Sequence, residues 1–130
     1  MTMDAGPMSL QEAIRHDGRY PPDAYEFLFR GLERAARQLH GERRGRQPRH
    51  VSGQDLCEGL RVEALHRWGP LARAVLGKWR IRRTRDFGEM VMFLVGLDVL
   101  SRQESDCIED FDDVYEFEAA FGQIRVEIDE

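Results

Sequence analysis

The sequence predicts a mainly α (α+β) fold: a helical domain with a C-terminal β-hairpin, winged-helix-like in its element order. Three observations lead there. Apolar residues recur at helical spacing through several long stretches, capping residues and Gly/Pro stops punctuate those stretches, and beyond Leu100 the period shortens towards two. With 130 residues, 42% hydrophobic and 33% charged, the chain has ordinary globular composition and length enough for one core. A single domain over 1–130 is therefore expected, divided into an N-terminal helical pair (9–40), a winged-helix-like core (51–118) and a tail (119–130).

Taken in order, Ser9 with Glu12 forms a capping box that opens a short helix ending near Asp17-Gly18. Pro21-Pro22 breaks the chain, and Asp23 opens a second helix. Its apolar set Tyr25, Leu28, Phe29, Leu32, Ala35, Ala36 and Leu39 follows the i, i+3, i+4, i+7 rule, with Arg30, Glu33, Arg34 and Arg37 opposite. GERRGRQPRH (41–50) has no apolar residue and reads as a loop. Ser52 and Asp55 then cap a helix stopped by Gly69, and Pro70 suits the first turn of the next, LARAVLGKW. After a second basic stretch, Lys78 to Arg85, comes the most apolar run, TRDFGEMVMFLVGLDVL (84–100). Asp86 and Glu89 are its capping signature, and Gly96 is the expected end of the helix. Apolar nearly all round, it is expected at the centre of the core. In FDDVYEF (111–117), Phe111, Asp113, Tyr115 and Phe117 alternate as in a half-buried strand, which is the basis for the hairpin.

Net charge is −5, but residues 1–85 hold 17 Lys+Arg against 10 Asp+Glu, whereas 86–130 hold 2 against 14. Such asymmetry points to a charged partner, or to two halves that face each other within one fold or across a homo-oligomer. Cys57 and Cys107 sit at neither metal-ligand nor disulfide-framework spacing. Cys57, among apolar helical neighbours, reads as a buried structural thiol. The start, MTMDAGPMSL, lacks the apolar core of a secretory signal, so a cytoplasmic location is the expectation, with no membrane anchor.

Beyond the winged-helix-like order of elements in 51–118, the local wording resembles a small family of uncharacterised bacterial conserved proteins. The residues that carry the likeness are YPPDAYEFL (20–28), HVSGQDLCEGL (50–60), TRDFGEMV (84–91) and EDFDDVYEFEAAF (109–121). The resemblance implies that most of the chain is one unit and implies no activity.

Catalytic signatures are lacking. His16, His40, His50 and His66 form no H-E-x-x-H or ligand cluster, and there is no G-x-S-x-G, phosphate-binding glycine loop or dinucleotide fingerprint. No cofactor and no metal are expected, and the acidic stretch lacks the order and the glycine of a calcium loop. Wing-and-helix DNA binding is disfavoured, because the acidic residues of the expected wing oppose phosphate. Two interaction surfaces are left. The first is an acidic-aromatic hairpin, Asp110, Phe111, Asp112, Asp113 and Tyr115, whose aromatics would anchor a protein partner inside a rim of carboxylates. The second, for nucleic acid or phosphate, is the pair of arginine-rich loops: Arg43, Arg44, Arg46 and Arg49 in one, Arg80, Arg82, Arg83 and Arg85 in the other. A non-catalytic protein-interaction module is the favoured reading, its partner another protein or a second copy of the chain.

Overall fold

The computed structural model describes residues 9–40, 50–101 and 106–122. Six α-helices follow in order: α1 (Leu10–Asp17), α2 (Pro22–His40), α3 (Gly53–Trp68), α4 (Ala72–Lys78), α5 (Thr84–Gly96) and α6 (Phe117–Phe121), with short 3-10 turns at Gly69–Leu71 and Ile108–Phe111. The mainly helical prediction stands. Among the described residues there is no strand, so the C-terminal hairpin and the wing it would have formed are corrected. The expected second strand, 111–117, is instead the end of a 3-10 turn, an irregular stretch and the start of α6.

The caps behave largely as expected. Ser9 and Glu12 complete the box at α1, and Gly18 closes that helix with a left-handed φ of 79°. The Ser52 hydroxyl accepts from the Asp55 amide at the start of α3. At α5 the signature differs in detail. Asp86 lies inside the first turn and reaches back, one carboxylate oxygen accepting from the amides of Arg82 (2.8 Å) and Arg83 (3.2 Å). Both α4 and α5 close with the chain turning left-handed two residues past the last helical one, at Arg80 (φ 68°) and Asp98 (φ 61°). In each case the next amide returns to the final turn, Ile81 to the Leu76 carbonyl and Val99 to that of Leu94.

Helices α2 and α3 pack backbone to backbone. A Cβ at Gly31 would overlap the Leu60 side chain, and one at Gly59 would lie 2.8 Å from both the Ala35 Cβ and the Gly31 carbonyl oxygen. Above that seam runs an ion-pair chain. Glu63, only 8% exposed, accepts from Arg34 (2.8 Å) and Arg67 (2.9 Å), and Arg67 continues to Glu26, which also accepts from Arg30. Behind the seam is an aromatic core. Phe27 meets Trp68 at 5.2 Å, Trp79 at 6.0 Å and Phe87 at 6.4 Å between ring centroids, and Phe87 leads on to Phe117 and Phe121.

The turn between α1 and α2 is held to the rest through Tyr20 and through Arg80. The Tyr20 hydroxyl, on a ring 5% exposed, lies 3.0 Å from Asp86 Oδ1 and 3.1 Å from Glu89 Oε1. Arg80, held in its left-handed conformation, donates to the carbonyls of Gly18 and Arg19 at 2.9–3.1 Å. Helix α5 is not buried all round. Phe87, Met90 and Leu94 are fully enclosed, but Val91 and Met92 lie half-buried on its other side. That surplus of apolar surface matters for the site. No described helix is long and apolar enough to cross a membrane.

Candidate functional site

Residues 106–117 lie across α3 and α5 and are fastened there by single side chains. Cys107 opens the 3-10 turn, with Asp110 Oδ2 accepting from its amide at 3.1 Å. The Phe111 ring, 4% exposed, wedges between two glycines. A Cβ at Gly88 would come within 2.8 Å of that ring, and one at Gly53 within 3.1 Å. Next to it the buried Thr84 hydroxyl donates to the Phe111 carbonyl (2.6 Å) and accepts from the Val114 amide (3.1 Å). Between those two bonds Asp113 takes a left-handed φ of 50°. The Tyr115 hydroxyl donates to the Cys57 carbonyl at 2.6 Å, and its burial pushes the phenol well above its ordinary range.

The five residues expected to bind protein therefore divide. Phe111 and Tyr115 face inward and hold the segment down, so their aromatic surface is not offered to a partner. The inward residues Phe111, Tyr115 and Phe117 share one parity without a ladder, and Asp113, at the intervening position of that parity, is exposed. Asp112 is exposed and pairs with Arg85 at 2.7 Å, and Asp113 is exposed beside it. Asp110 and Phe111 border something the sequence did not announce: a cleft of about 420 Å³. Leu28 and Leu32 of α2, Leu56 of α3, Val91 and Met92 of α5, and Val99 and Leu100 give it apolar walls. His50, Ser52, Asp106 and Asp110 supply the polar lining, with His50 Nε2 3.5 Å from Asp106 Oδ1. Apolar walls with a few converging polar groups, at this volume, are the usual make-up of a ligand or peptide site.

The described arginines of the second loop serve different ends. Arg43, Arg44, Arg46 and Arg49 lie outside the described residues. Arg80 is spent on the α1–α2 junction and Arg85 on Asp112, whose carboxylate raises the Arg85 guanidinium further. Arg82 and Arg83 are exposed on the stretch leading into α5. Cys57 is fully buried, and burial pushes its thiol up to about 12, so it is inert as a nucleophile. Among the described residues no three His, Cys, Asp or Glu are placed to hold a metal ion. Sequence reasoning missed Tyr20, Glu63 and Thr84. Each acts through a partner 27 or more residues away, and only Glu63, a carboxylate on the apolar side of α3, carried even a faint signal.

Comparison of the chain with family models, with curated proteins and with solved structures gives no match.

Proposed function

We propose that this chain is a non-catalytic protein-interaction module, and that its acidic-aromatic C-terminal segment serves as one wall of the docking cleft. The observation that carries the reading is the cleft itself: Leu28, Leu32, Val91, Met92 and Leu100 offer apolar contact, and the acids Asp106 and Asp110 line the same space. The occupant it suits is an amphipathic segment of another protein with apolar side chains and basic neighbours, since the chain from Asp86 onward carries 14 acidic residues against 2 basic ones. Phe111 contributes as the rigid support of that wall rather than as an anchor entering a partner.

The test is a fluorescence-polarisation screen of amphipathic peptides, basic against acidic, on wild type and on Met92→Asp, a half-buried cleft residue. Basic peptides should bind and lose affinity at least about tenfold on Met92→Asp, with the circular dichroism spectrum unchanged. Binding of acidic and basic peptides alike, or indifference to Met92→Asp, would remove the cleft as the site.

Nucleic-acid or phosphate binding through the arginine-rich loops is the second reading. What supports it is that Arg82 and Arg83 are exposed and make no side-chain ion pair with a described residue. Anisotropy of labelled RNA and DNA at several salt concentrations tests it: affinity should fall steeply with salt and vanish in Arg82→Glu/Arg83→Glu. Absence of binding at low salt ends that reading.

A further inference from the structure

Helix α2 carries more apolar surface than the other described residues cover. Gly31 and Ala35 face α3, and Tyr25 reaches Phe93 of α5 at 5.9 Å. On the side next to these, Phe29, Leu32 and Ala36 are only half-buried and border a shallow outer groove with Arg30 and Glu33, and Leu39, a turn further on, is 47% exposed.

We infer that a second copy of this chain covers that face, the two α2 helices packing antiparallel about a two-fold axis level with Arg34. The stripe 29, 32, 36, 39 has steps of three, four and three, so it reads the same in either direction, which a contact of one patch with itself requires. Antiparallel pairing sets Phe29 against Leu39 and Leu32 against the small Ala36, large opposite small at the middle, as close helix packing prefers. Charge agrees with the spacing. Glu33 is exposed, with only a 3.7 Å contact to Arg30, and Arg37 is exposed with no ion pair to a described residue. The pairing brings Arg37 of each copy within a turn of Glu33 of the other, twice over. Leu32 borders both the cleft and this face, but the residues substituted in the test, Leu39, Glu33 and Arg37, do not line the cleft, so the experiment separates this inference from the docking proposal.

Sedimentation equilibrium of the full chain, from micromolar to near-millimolar concentration, is the test. Wild type should be a concentration-dependent dimer. Leu39→Glu, at a half-exposed position that the fold tolerates, should raise the dimer dissociation constant by at least about tenfold. Arg37→Glu alone and Glu33→Arg alone should each weaken the dimer and the two together should restore it, whereas an effect of net charge would strengthen the dimer in Glu33→Arg, which brings the chain from −5 closer to neutral. A wild type monomeric throughout, a dimer indifferent to Leu39→Glu, or a double reversal that fails to rescue would each overturn the inference.

Discussion

Helices α2 and α3 approach until glycines touch: Gly59 leaves room for Ala35 and for the Gly31 carbonyl, and a continuous chain of arginines and glutamates runs over the seam. Residues 106–117 make no such seam. They lie on α3 and α5 through two buried rings, Phe111 and Phe117, and two hydroxyls, Thr84 and Tyr115. In the first region the stabilising contacts are many and repeat along the helices, so each carries a small share. In the second they are few and unlike one another, so each carries much. A surface built on the second kind is positioned as accurately as the first but fails at single points.

Substitutions can break that contrast. Phe111→Ala should have the largest effect, about 3–5 kcal/mol of lost stability in urea unfolding, because the two flanking glycines leave nothing to fill the void. Gly59→Ala comes next, at about 1–3 kcal/mol, since the added methyl meets the backbone carbonyl of Gly31 rather than a movable side-chain end. Thr84→Val keeps the shape but leaves the Val114 amide without its acceptor, for about 1–3 kcal/mol by the same measurement. Arg85→Ala should leave the unfolding midpoint unchanged within error, because its pair with Asp112 is open to water. Equal losses at Thr84 and Arg85 would erase the distinction drawn between buried anchors and surface pairs.

The seam has its own signature in pH. Burial works to raise the Glu63 carboxyl, but hydrogen bonds from Arg34 and Arg67 outweigh it and hold the carboxyl below its ordinary range. A carboxyl lowered on folding adds stability above its unfolded value, about 4.3, and gives it up as pH falls through the folded one. Glu63→Gln should therefore melt lower than wild type at pH 7, and the gap should narrow in thermal scans as pH falls below about 4.3. A gap that does not narrow on acidification would assign the role of Glu63 to shape rather than charge.

The two regions also differ in how far they could be read from residues alone. Every long helix was legible, because the period of Tyr25, Leu28, Leu32, Ala35 and Leu39, with Ser9 and Ser52 at the caps and Gly69 as a stop, states both element and face. Alternation at Phe111, Asp113, Tyr115 and Phe117 misled, because period two records only that side chains point alternately in and out. A segment with no strand to pair with can satisfy it when its inward residues each find a separate socket. The sockets, Gly53 with Gly88 and the Cys57 carbonyl, lie 23 to 58 positions away in the chain, beyond the reach of any local pattern. The cleft was half legible. Met92 stands in the sequence as an apolar residue in excess of one helix face, but only the fold brings it, with Val91, opposite Leu28 and Leu32.

The ties at Tyr20 and Arg80 bear on how the chain acquires its shape. During synthesis α1 and α2 emerge first, yet the Tyr20 hydroxyl waits 66 residues for Asp86, and the carbonyls of Gly18 and Arg19 wait about as long for the Arg80 guanidinium. Until α5 is made, Tyr20 lacks its carboxylate partners, Tyr25 lacks Phe93, and Phe27 lacks Phe87. The first forty residues are thus no autonomous folding unit. Closing the domain is a long-range event, and this helical protein should fold more slowly than helix bundles whose contacts are local.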